Sequence, residues 1–181
     1  MKTTHTPALS ESNLIEISIE DQLLRLTLAD GSVETFPVST AANGPGEQEN
    51  SGCTPRGWHR IRAVIGRGQP SGAVFVGRRP TGEIYSPSLA DEFPQRDWIL
   101  SRILWLQGQE VGVNRFGHVD SMRRYIYLHG TPDSEPMGVP RSHGCVRMRN
   151  TDVILLSEKV PPGTPVWIQE HSFRRIACRN L

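Results

Sequence analysis

The chain has 181 residues, 36% of them apolar and 22% charged, enough for one domain of about 150 residues with a buried core. Twenty basic residues against nineteen acidic leave a formal charge of +1, so there is no basic field of the kind that holds nucleic acid. No apolar run approaches the roughly 18 residues of a membrane span, and 17 glycines with 14 prolines favour turns and short strands over a helical bundle.

In chain order, residues 1–13 read as a flexible polar tail without the apolar stretch of a signal peptide. From Leu14 the pattern has period two. Ile15, Ile17 and Ile19 alternate with Glu16, Ser18 and Glu20, then Leu24, Leu26 and Leu28 with Arg25 and Thr27, as half-buried strands do. Asp30-Gly31 turns the chain into a third strand over 33–38, giving an antiparallel meander. Residues 41–57, rich in Gly and Pro, form a loop, and 61–65 and 73–77 read as short strands. No element is assigned to 78–97, for which a lid over a cleft is one reading.

The spacing of Trp98, Ile99, Ile103, Leu104 and Leu106, with Asp97 before and Gly108 after, predicts a helix. Residues 125–129 form a strand and 130–144 a turn-rich stretch. Residues 153–160 suit a short helix, with Asn150 or Thr151 as N-cap and Pro161-Pro162-Gly163 as its stop. Residues 165–169 make a last strand, and 170–181, with three arginines, a basic tail. The fold class is mainly β, β-sandwich-like sheets with one or two short helices.

Three cysteines at wide spacing, Cys53, Cys145 and Cys178, are no disulfide framework and fit free thiols in a reducing compartment. With no leader visible, the expected location is the cytoplasm, or the periplasm if a leader has been removed.

Chemistry concentrates between Tyr125 and Asn150. In the predicted strand Tyr125, Tyr127 and His129 share one face. Ser142-His143-Gly144-Cys145-Val146-Arg147 follows a proline-rich return. A cysteine nucleophile needs a base for its proton, N–H donors for the oxyanion, and backbone that lets substrate approach. His129 or His143 can be the base, Gly144 and Cys145 can supply adjacent amides, and Arg147 can favour thiolate or bind a carboxylate. Alone, a buried cysteine is a small hydrophobe. A zinc site from His129, His143, Cys145 and Cys53 has suitable ligand types but matches no zinc-ribbon spacing. An inactive binding module that keeps these residues for structure is the reading from another class.

His129-Gly130-Thr131, then Ser142-His143-Gly144-Cys145-Val146-Arg147, resembles the signature of the L,D-transpeptidase (YkuD-domain) enzymes. Phe36-Pro37-Val38-Ser39-Thr40, Thr54-Pro55-Arg56-Gly57, Asn150-Thr151-Asp152-Val153 and Gly163-Thr164-Pro165-Val166 extend the resemblance over about residues 14–169.

The resemblance implies a mainly β catalytic domain acting on the peptidoglycan stem peptide or a muropeptide. It implies attack on the bond between an L-configured centre, commonly of meso-diaminopimelate, and D-Ala, through a thioacyl-enzyme. Cys145 is then the nucleophile and His129 the base, oriented by the Gly130 carbonyl. The Gly144 and Cys145 amides hold the oxyanion, and His143 supports. Arg147, Tyr127 and Ser142 are substrate-side candidates. No metal or organic cofactor is implied, and acylation by carbapenem-type β-lactams is. A cytoplasmic member would meet soluble tetrapeptides, so L,D-carboxypeptidase action giving tripeptides is expected first. Transfer to an amine, with 3–3 cross-link formation, is the alternative.

Overall fold

A computed structural model describes residues 12–174. Residues 1–11 and 175–181, parts of the two expected tails, lie outside it, and Cys178 with them. The alternating segments form β1 (Leu14–Ser18), β2 (Leu23–Thr27) and β3 (Val33–Pro37), an antiparallel meander. Its apolar set, Ile15, Ile17, Leu24, Leu26 and Phe36, is buried, as period-two side chains on one face must be. The Asp30-Gly31 turn is held by the Ser32 N–H, which donates to Asp30 Oδ1 at 2.8 Å, and Gly31 takes φ +84°.

Beyond the loop come β4 (Gly57–Ile65), β5 (Ala73–Val76), β6 (Arg79–Ile84), α1 (Pro87–Glu92) and β7 (Ile99–Gly108). Then follow β8 (Tyr127–Gly130), β9 (Val146–Met148), α2 (Asn150–Lys159) and β10 (Pro165–Gln169). The ten strands make one sheet ordered β3-β2-β1-β10-β4-β7-β5-β6, branching at β7, which also pairs β8, and β8 pairs β9. Among the described residues the class is mainly β with two α-helices. No helix among the described residues is long and apolar enough to cross a membrane.

The helix expected around 98–108 is instead β7. Ser101 takes φ +66°, and the register with β8 shifts between Leu100 and Ile103. That irregularity interrupts the alternation and leaves apolar residues at 100, 103, 104 and 106, a spacing that mimics one helical face. Pairing with β4, β5 and β8 buries both faces, so no polar alternation marks the strand.

Tyr125 is in a turn at φ +56°, ahead of β8 rather than on its face. The α2 N-cap is Arg149, not Asn150 or Thr151. Asn150 instead accepts from Ser101 Oγ at 2.6 Å and donates to the Thr131 carbonyl at 3.0 Å, tying the β7 bulge to the end of β8. The unassigned stretch 78–97 holds β6 and α1, and Tyr85, Leu89 and Ala90 pack on Val74, Trp98 and Leu100.

The main core lies between the sheet and α2, with Leu26, Leu104, Leu128, Met148, Leu156 and Ile168 fully buried. Arg67 caps the C-terminal end of α2 through the carbonyls of Ser157 and Val160.

Candidate active site

The site is built on the parallel pair β8–β9. Leu128 lies opposite Val146, and both face the main core. Alternation sends Tyr127 and His129 to the other side, where His129 lies opposite Arg147 and Cys145 immediately precedes β9. Cys145, His129, Tyr127 and Arg147 therefore line one cleft of about 530 Å³. Its further walls include Arg78, Asp97, Tyr125, Ser142 and His143.

The Cys145 thiol accepts from the Tyr127 N–H at 3.3 Å and donates to the Tyr125 carbonyl at 3.4 Å. Burial pushes the thiol up to about 12, against a smaller opposing effect from the Tyr127 N–H. Burial also holds the His129 imidazole below its ordinary value. Both effects favour the uncharged forms of thiol and imidazole, and the Arg147 charge acts on Cys145 more weakly than burial does. His129 Nδ1 lies 2.8 Å from the Gly130 carbonyl, which only accepts, so Nδ1 carries the proton and Nε2 is the basic nitrogen. Gly130 is required there: a Cβ would sit 2.4 Å from Asn150 Oδ1 and 2.6 Å from the Leu100 carbonyl oxygen.

The turn over 142–145 is held by short polar side chains. Ser142 Oγ donates to the Cys145 carbonyl and accepts the Gly144 N–H at 3.2 Å. The Gly144 amide, expected to face an oxyanion, is thus occupied in this state, while the Cys145 N–H makes no hydrogen bond within the described residues. Ser142 shapes the turn as well as lining the cleft. Buried Thr54 donates to the Gly144 carbonyl at 2.9 Å, giving the Thr54-Pro55 segment a direct hold on the site. Gly144 itself needs φ +134°, a conformation that L side chains rarely adopt.

The charged residues are placed differently from expectation. Arg147, read as a carboxylate binder, is 9% exposed and already paired with Asp97 at 3.1 Å and Glu135 at 3.2 Å. His143 is an exposed rim residue, its Nδ1 3.8 Å from Asp97 Oδ2, a loose contact rather than a hydrogen bond. Tyr127 is a wall residue, its ring edge-on to Trp105 and its hydroxyl accepting from Arg78 at 3.1 Å. Among the described residues no three His, Cys, Asp or Glu side chains gather as a metal site, so His129, His143, Cys145 and Cys53 are not assembled as one.

The sequence matches the L,D-transpeptidase catalytic domain (YkuD) family over residues 12–168. The chain belongs to that family. It is 51% identical over 43 residues to "Probable L,D-transpeptidase YbiS" of Escherichia coli K12, a match covering 24% of this chain and 14% of that one. L,D-transpeptidase 3 of Mycobacterium tuberculosis superposes with a TM-score of 0.55 at 17% identity, over 88% of this chain and 61% of that one. Bd1075 of Bdellovibrio bacteriovorus gives 0.55 at 16%, over 96% and 55%. The match to YbiS thus spans about a seventh of that protein's length, and those to the two structures little more than half of theirs.

Within this L,D-transpeptidase domain, sequence reasoning missed Arg78 and Asp97, which close two walls of the cleft. The available signal for Arg78 was Gly77, a turn residue directly after an apolar run, which marks the tip of the β5–β6 hairpin. Asp97 carries no local signal, because its role depends on Arg147 fifty residues later.

Proposed function

We propose that this domain opens the bond between diaminopimelate and D-alanine in peptidoglycan tetrapeptides through a thioacyl-enzyme on Cys145. The observation that carries this is the placement of the Cys145 thiol and His129, its Nδ1 proton committed to Gly130, in one cleft. His129 Nε2 takes the thiol proton as Sγ attacks the carbonyl carbon, and the Cys145 N–H faces the developing oxyanion. Collapse of the tetrahedral species breaks the C–N bond. The leaving amine of D-alanine receives the proton from the imidazolium, and a thioester remains. Water, deprotonated by the same imidazole, then releases the acid and restores the thiol.

Hydrolysis is the reading placed first, as an L,D-carboxypeptidase giving tripeptides, because a thioester in an open cleft always meets water. Transfer to an amine is the second reading, favoured by the transpeptidase name carried by the relative YbiS. Action on soluble peptides in the cytoplasm goes with the first. Carbapenem acylation of Cys145 is part of the same proposal. One solved L,D-transpeptidase, 16% identical with a TM-score of 0.50, is described in complex with imipenem.

Purified protein incubated with a disaccharide-tetrapeptide should yield the tripeptide and free D-alanine. Dimers without tripeptide would refute the hydrolytic reading, and absence of any D-alanine would refute the chemistry. Cell fractionation reads the location.

A further inference from the structure

We infer that the guanidinium of Arg78, rather than that of Arg147, holds a free carboxylate of the substrate in the cleft. The inference rests on the peptide substrate proposed above and names the residue that reads its charge. Both arginines line the cleft beside Cys145. Arg147 already bonds Asp97 and Glu135 with its two terminal nitrogens, so an incoming carboxylate would meet two like charges. Arg78 is different. No carboxylate pairs with it among the described residues, and it donates a hydrogen bond to the Tyr127 hydroxyl.

The arginine is also held in place. Its guanidinium carbon lies 4.5 Å from the Trp105 ring centroid and 4.9 Å from that of Tyr125. Stacking of this kind fixes a long side chain before ligand arrives, so less entropy is lost on binding. The backbone beneath is unusual. Val76 pairs with Arg79, leaving Gly77 and Arg78 as a two-residue turn at φ +54° and +65°. That is the primed hairpin turn, in which glycine or asparagine is preferred at the second position. A non-glycine residue there costs stability, and strain of this sort gathers where a side chain is needed for function. The hairpin thereby sets a stacked cation on the wall of the cleft beside Tyr127, whose own N–H bonds the thiol.

The last two residues of such a tetrapeptide, diaminopimelate and D-alanine, offer two free carboxylates, the terminal one and that of the diaminopimelate side chain. Three peptides separate them: the free acid, the D-alanine amide, and the diaminopimelate amide. Arg78→Gly keeps the turn and removes the cation, so its Tm should be no lower than that of the wild type. On the free acid its kcat/KM should fall about 10- to 100-fold, mostly through KM, as for loss of a charge-assisted contact. The wild type should show a similar loss on one of the two amides, and on that amide Arg78→Gly should cause no further loss. An unchanged kcat/KM, or an equal fall on all three peptides, would overturn the inference. If the wild type releases no D-alanine, the proposed function fails by itself. The anchor is then read from calorimetric Kd values of the same peptides on Cys145→Ala, with and without Arg78→Gly. Selective weakening of the free acid supports the anchor, and equal affinities or no binding overturn it.

Discussion

His129 donates its Nδ1 proton to the carbonyl of the next residue, Gly130, at 2.8 Å. A chain neighbour thus does the orienting that a separate side chain often does, and the basic nitrogen is fixed by backbone alone. Removing the ring in His129→Ala should lower kcat by about 10²–10⁴ while the fold is kept, and Cys145→Ala should abolish turnover. Stopped assays of D-alanine release measure both. A twofold effect at His129 would pass the base role to His143.

Cys145 should also report its protonation directly. With the thiol pushed up to about 12 by burial, thiolate is scarce at neutral pH and grows about tenfold per pH unit. Iodoacetamide labelling of Cys145, followed by peptide mass spectrometry, should therefore climb steadily from pH 7 to 9. A plateau below pH 8 would mean that the resting form is an ion pair.

Gly130→Ala tests the close packing behind the imidazole. The added methyl would meet Asn150 Oδ1 and the Leu100 carbonyl oxygen well inside contact distance. Relieving that overlap requires β7 or α2 to shift, at a cost of about 1–3 kcal/mol. Thermal unfolding should show a clearly lowered Tm, with D-alanine release lost in parallel. An unchanged Tm would show that the neighbours yield freely.

Acid should weaken the fold through His59. This buried ring contacts the Gly57 carbonyl at 3.0 Å and Ser121 Oγ at 2.8 Å, and burial holds it down to about 4. The unfolded chain takes up the proton at about 6.5. The folded state is thus favoured fully above that value and loses ground as pH falls toward 4, by about 3 kcal/mol in all. Urea midpoints at pH 7, 5 and 4 should decline accordingly, with His129 adding in the same direction. A flat profile would contradict the buried neutral ring.

Much of this was readable in the chain. Alternation in β1 and β2, the Asp30-Gly31 turn and the bounds of β10 all rest on local patterns that tertiary packing left intact. The juxtaposition of His129 and Cys145 was legible as two motifs with a turn-rich return between them. What escaped is non-local. Helical spacing in β7 arises from a bulge that only sheet pairing reveals. The engagement of Arg147 depends on Asp97 and Glu135 arriving from other loops. The Gly144 amide is turned by Ser142, a hydroxyl two residues away whose rotamer the sequence does not encode.

The position of β10 has its own consequence for how the protein is made. Among the described strands, the opening three reach the rest of the sheet through this segment, which leaves the ribosome after all the others. Until residues 165–169 emerge, β1 and β4 each present a raw edge, and the nascent chain must wait, exposed to wrong partners, for the piece that joins its halves.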